Sequence, residues 1–151
     1  MKNPAQKLGF TLIELLVVIA IVGVLAAVVL VAINPARRLA QARDAGRRSD
    51  VGQLATGSEA YFTTYGRYPT SFGELTVIGD LKRIPSTSAR AGCTPTGNNA
   101  PYNYGLTYNS TTSEVVVSVC IEEPTSVVAN SYWIWPSATG NVVETSAVPA
   151  P

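Results

Sequence analysis

The chain contains no histidine, so it lacks the commonest general base and transition-metal ligand. That absence argues against most hydrolase and zinc-site chemistry. Cysteine is scarce as well: Cys93 and Cys120 are the two in the chain, too far apart in sequence for a redox CxxC pair. From Phe10 to Ile33 the one ionisable side chain is Glu14. Eleven basic and ten acidic residues give a net charge of +1, a whole-molecule field that favours neither nucleic acid nor a polyanionic substrate. The carboxylates are scattered, with Glu122 and Glu123 as sequence neighbours on opposite strand faces or in a turn. Serines and threonines are plentiful but have no histidine to activate them. The expectation is no catalytic residue, no metal, no cofactor and no enzyme.

What is present begins with the long apolar run. Residues 10–33 would span about 36 Å as a helix, enough to cross a bilayer with some tilt. The remainder, 36–151, is long enough for a modest core. An even cysteine count beyond a membrane or export segment favours a disulfide in an oxidising compartment. Its closed loop of about 28 residues is worth roughly 3–4 kcal/mol in the chain-entropy model. Two buried free thiols are the other reading.

The apolar run itself can be read three ways. As a secretory signal it has Lys2 and Lys7 for a basic start and Leu30-Val31-Ala32 for a cleavage site. However, the run is too long for an ordinary signal, and Glu14 interrupts its beginning. As a plain signal anchor it has the right length and leaves Glu14 unexplained. An acidic group at a helix centre costs roughly 2.5–3.5 kcal/mol by insertion scales, less near an edge. The third reading supplies a partner for it.

The stretch Lys7-Leu8-Gly9-Phe10-Thr11-Leu12-Ile13-Glu14 resembles the class III leader of type IV prepilins and pseudopilins. The resemblance implies that a prepilin peptidase cuts after Gly9 on the cytoplasmic face and methylates the new amine of Phe10. It also implies that the carboxylate at Glu14 pairs with the Phe10 amine of a neighbouring subunit, each charge neutralising the other where neither is cheap alone. Gly9, lacking a side chain, suits a tight scissile site. Two features depart from the family's pattern. The family often has a proline where Val31 stands; here Pro35 follows one turn later, so the bend a proline causes should be displaced. In addition, Arg37, Arg38, Arg43, Arg47 and Arg48 follow the span on the side the leader makes external, against the positive-inside rule. The leader motif overrules it here.

Residues 36–65 should continue as helix. Val51, Leu54, Ala55, Ser58, Phe62 and Tyr65 fall at helical spacing, with Tyr61 beside them. Before Val51 the stripe fades into Arg37, Arg38, Arg43, Asp44, Arg47, Arg48 and Asp50. The simplest expectation is therefore a later half lying on a sheet and an earlier half projecting as a stalk. Its arginines, with Asp44 and Asp50, would pair either between subunits or along a solvated helix. Gly46 and Gly57 share a face and either allow close helix approach or leave the helix compliant. Gly66 should end it, and Gly66-Arg67-Tyr68-Pro69 resembles the GxYP that ends the long helix in many pilins and major pseudopilins.

Ser71-Phe72-Gly73-Glu74 reads as a capping box for a short helix near 72–78. A polar connector over 84–101 carries Cys93. Strands are expected over 102–108, 114–121, 132–135 and 141–144, with a turn at 109–112. The tail after Glu144 should fray. Asn109-Ser110-Thr111 matches an N-glycosylation acceptor. The aromatic residues are assigned to core and inter-subunit packing. The calcium loop of some major pseudopilins is not expected, because 121–151 has no aspartate and three glutamates.

The expected fold is α+β: a long N-terminal helix packed on a small antiparallel sheet of three or four strands. The divisions are a leader 1–9, an apolar helix 10–35, an amphipathic helix 36–65 and a head 66–151. The implied function is a subunit of a type IV pilus-like filament for adhesion, motility or DNA uptake. A pseudopilin of a secretion piston and a non-polymerising, single-pass anchored binding domain are the alternatives. The implied partners are further copies, the prepilin peptidase, an assembly ATPase, a platform protein and the membrane, with nucleic acid only at filament level. The precursor would sit in the cytoplasmic membrane with its head outside, and the product in an extracellular pilus or a periplasmic pseudopilus.

Overall fold

The computed structural model describes residues 9–77, 79, 81–90, 92–97, 102–124 and 131–147. Of the sequence expectations, residues 1–8 of the leader, residue 78 of the short helix, residues 91 and 98–101 of the connector, and 148–151 of the tail lie outside the described residues. The chain divides into two compact units, Met1–Arg38 and Leu39–Pro151.

In the first unit, α1 (Leu12–Ile33) is uniformly apolar apart from Glu14, has no buried residue, and is long and apolar enough to cross a membrane. It ends at Asn34, whose left-handed backbone (φ 46°, ψ 76°) is a conformation that asparagine tolerates better than most residues. The same Asn34 starts α2 (Pro35–Tyr65): its side-chain oxygen accepts from Arg37 N at 3.3 Å and its carbonyl from Arg38 N at 3.3 Å. Pro35 takes the first helical position, where a missing N–H costs nothing. The proline therefore marks a break between two helices, and the ladder is interrupted at Asn34.

In the second unit, the short α3 (Phe72–Val77) is followed by β1 (Gly105–Asn109), β2 (Glu114–Cys120), β3 (Tyr132–Pro136) and β4 (Val143–Thr145). The strands form one antiparallel meander in the order β1-β2-β3-β4. Leu106 faces Val117, which faces Trp135, and all three join Val51, Leu54, Tyr61 and Tyr104 in the core. The α+β fold is thus a long helix packed with a four-stranded antiparallel sheet.

β2 is buried on both faces, which a strand lying on one helix alone would not be. Its second face, carrying Val116, Ser118 and Cys120, lies against the connector. Thr96 O sits so close to Gly105 that a Cβ there would lie 2.0 Å from it and 2.5 Å from Ser118 Oγ. Only glycine fits at that position. Cys93 and Cys120 are joined in a disulfide with Cα atoms 6.2 Å apart, fastening this strap to the end of β2.

Two local expectations need correction. Glu74 does not close a capping box with Ser71. Its carboxylate instead accepts from Tyr61 Oη (2.5 Å), Thr70 Oγ1 (2.5 Å) and Arg67 Nη1 (2.9 Å), tying the helix exit to α3. The second concerns the early half of α2, which does not project as a free stalk. Ala40, Asp44 and Arg47 are buried with Val51 and Leu54 in one continuous stripe. The stripe keeps its helical spacing but changes from apolar to charged, because the surface opposite it changes from side chains to backbone and carboxylate groups.

Candidate assembly segment and head clamp

The start of α1 is built by local chemistry. Thr11 is its N-cap, with an extended backbone (φ −83°, ψ 149°), and its Oγ1 accepts from Glu14 N at 3.2 Å. The Thr11 hydroxyl also reaches Glu14 Oε2 at 3.4 Å. Together Thr11 and Glu14 form one side of a capping box, with the carboxylate in the first turn where the helix dipole favours negative charge. Glu14 therefore has a structural task within its own chain. The sequence signal for this cap is T-x-x-E before an apolar run. Gly9 and Phe10 lie outside the helix in exposed chain, with Phe10 74% accessible. The peptide bond between them is unencumbered by secondary structure.

The second constellation lies in the head, and no local motif announces it. The Arg47 guanidinium is 2% exposed, yet it offers five N–H donors that must all be satisfied. Nε donates to Thr87 Oγ1 (3.1 Å), Nη1 to Asp44 Oδ1 (3.0 Å) and Cys120 O (3.3 Å), and Nη2 to Ser88 O (3.3 Å) and Glu122 Oε1 (2.5 Å). Asp44 in turn accepts the backbone N–H groups of Glu122 (2.8 Å) and Glu123 (2.8 Å). Arg43 closes the group from the rim, donating to Glu122 Oε2 through Nε (2.9 Å) and Nη2 (2.5 Å). Those hydrogen bonds hold the Glu122 carboxyl below the usual range, against the opposing effect of burial.

These contacts are neither of the two pairings expected for the arginines, because Arg47, Asp44 and Glu122 meet inside the head. Asp44 and Asp50 are both engaged within the chain, Asp50 accepting from the buried Tyr104 hydroxyl at 2.6 Å. Burial and that carboxylate push the phenol well above its ordinary range. Arg48 stacks on Trp133, with its guanidinium carbon 4.9 Å from the ring centre. Among the glycines, Gly57 allows close approach to Leu81, whereas a Cβ at Gly46 would meet nothing within 4 Å. The aromatic residues Tyr104 and Trp135 are core, and Phe62, Tyr68 and Trp135 form a chain of ring contacts at 4.6 and 6.4 Å. Asn109 Oδ1 caps the β1–β2 turn, accepting from Thr111 N (2.8 Å) and Thr112 N (3.3 Å).

Comparison with known proteins finds a family match at the same end of the chain. Residues 5–30 match the family described as the prokaryotic N-terminal methylation motif. A type IV major pilin protein PilE1 of Neisseria gonorrhoeae is 43% identical over 83 residues, covering 53% of this chain and 48% of that protein. Fimbrial proteins of Neisseria meningitidis are 45% identical over 69 residues (46% of this chain, 39% of the relative) in serogroup A and 46% identical over 77 residues (49% and 44%) in serogroup B. The chain spans about half the length of the curated relatives it matches. No solved structure matches it. The methylation motif and the relatives make this chain similar to type IV pilins, and the long helix packed with a four-stranded antiparallel sheet is consistent with that likeness.

Proposed function

We propose that the chain is a structural, non-catalytic subunit of a type IV pilus-like filament, made as a membrane precursor and assembled after its leader, residues 1–9, is removed. Peptidase cleavage of the Gly9–Phe10 bond turns an amide nitrogen into a basic amine at the mouth of α1, and methylation leaves that amine basic. Glu14, one helical turn away, supplies the anion. In lipid an isolated carboxylate or ammonium is costly, so the amine of one copy and the Glu14 carboxylate of the next draw the two helices together. The apolar faces of α1 then exchange lipid contacts for close helix packing. The heads, from residue 39 onward, form the outer surface. An assembly ATPase and a platform protein would drive extraction from the cytoplasmic membrane.

The observation that carries this reading is the methylation motif over 5–30 running directly into a helix with no buried residue. Such a helix requires a cover, and both lipid and its own copies provide one. The names of the relatives, major pilin and fimbrial protein, favour an extracellular pilus over a secretion piston. The test has two parts: mass spectrometry of the mature N-terminus, and microscopy of fibres sheared from the producing cells. N-methylated Phe10 and fibres made of this chain support the proposal. An intact Met1, or a cut near Ala32, would exclude it.

A further inference from the structure

We propose that the Arg43–Asp44–Arg47–Glu122 clamp is the load-transfer point of the head, the place where tension carried along α2 enters the sheet. The inference rests on the filament reading, because a polymer pulled along its length loads every head through its helix. Ala40, Asp44 and Arg47 are the first buried residues of α2, and Val51 and Leu54 come later. A pull from the N-terminal side of the helix therefore reaches the clamp before it reaches the apolar core.

The clamp is suited to bear load. Hydrogen bonds and ion pairs are directional and lost over a short displacement, whereas apolar contact is non-directional and tolerates sliding. All five Arg47 donors are engaged, and their acceptors outside α2 lie on two segments, Thr87–Ser88 and Cys120–Glu122. The Cys93–Cys120 bond covalently joins the stretches to which those segments belong. Its loop encloses β1 and β2, so force arriving at Cys120 passes across the disulfide and does not have to peel the β1–β2 ladder. The buried charge of Arg47 has a mechanical use at this position, where an apolar residue would fill the same space with less resistance to shear.

The test is single-molecule pulling of the full chain in detergent micelles, which requires no polymer. Handles are attached through bio-orthogonal side chains at Leu39, which is 61% exposed, and at Thr112 in the exposed β1–β2 turn. Arg47→Lys keeps the charge but replaces the five-donor fork with a point charge. It should detach the 40–50 stretch of α2 at least about tenfold faster than wild type at fixed load. Leu54→Ala should lower denaturant stability more and the detachment time less. Should Arg47→Lys fail to fold, Glu122→Gln, which keeps shape and removes one charge, should shift the rate in the same direction by a smaller factor. Wild-type detachment rates in the clamp variants, or a larger effect from Leu54→Ala, would overturn the assignment. Cells that make no fibres would instead overturn the filament reading and leave the measured rate ratio standing.

Discussion

Glu14 N donates to Thr11 Oγ1 at 3.2 Å while the Glu14 carboxylate lies 3.4 Å from the same hydroxyl. The residue proposed to recruit a neighbouring subunit is thus also the third residue of its own helix and part of that helix's cap. The two roles make different demands, since capping needs a hydrogen-bonding oxygen and pairing needs a negative charge.

Glutamine separates them. Glu14→Gln retains the capping geometry, because glutamine serves at the same position, but it carries no charge. Leader cleavage should proceed and α1 should keep its protected first turn by hydrogen exchange, while filaments are lost or disordered in electron micrographs. Thr11→Ala has the converse signature: about 1 kcal/mol of lost helix-start stability, seen as faster exchange at residues 12–15, with the charge untouched. Normal filaments from Glu14→Gln would falsify the pairing.

Removing Asp44 should be far costlier than removing a surface carboxylate. Asp44→Ala strands two backbone N–H groups and part of a buried guanidinium, a class of change worth roughly 3–5 kcal/mol. Denaturant titration of the detergent-solubilised protein measures it. Glu59→Ala, on the exposed side of α2, is the control and should stay within about 0.5 kcal/mol apart from its contact with Tyr68.

The disulfide closes a sequence separation of 27 residues. Cys93→Ala with Cys120→Ala should lower stability by about 3–4 kcal/mol in the chain-entropy model. The loss should appear as a lower denaturant midpoint, with amide exchange rising first in the strap over 92–97. Equal midpoints for oxidised and reduced protein would contradict that role.

Acid should weaken the head at two places. Glu122 is held below the ordinary carboxylate range by its hydrogen bonds from Arg43 and Arg47, against burial. At Glu74 burial pushes the other way, and hydrogen bonds from Thr70, Tyr61 and Arg67 more than offset it. A depressed folded value means that the stabilisation is full above the unfolded value, about 4.3, and is lost as pH falls through the folded one. Thermal midpoints should therefore be flat from neutrality to about pH 5 and fall below about pH 4.3. Glu122→Gln and Glu74→Gln should each flatten that fall.

Two glycines should respond with opposite sign. Gly105→Ala drives a methyl to 2.0 Å from Thr96 O, a backbone atom that cannot yield without moving the strap, and should cost at least about 1–3 kcal/mol. Gly52→Ala meets nothing within 4 Å in the middle of α2, and should stabilise the detergent-held protein by about 0.5–1 kcal/mol.

Much of the fold was legible because it is locally encoded. The end of the long helix at Gly66 (φ +68°), the turn after Asn109 and the alternation in the strands all depend on residues adjacent in sequence. The strap over β2 was not legible. Gly105 reads as an ordinary strand residue until Thr96 is brought above it.

Local chemistry suffices for α1, its cap and its break at Asn34, because propensity, capping and proline effects act within a few residues of chain. The fate of Asp44 and Arg47 depends instead on long-range contacts. By pattern they belong to a solvated charged face; in the fold they are buried, since a charge can leave water only where acceptors and donors replace it. Those partners come from Cys120 and Glu122, 73 and 75 residues away in sequence, a distance over which no local rule operates.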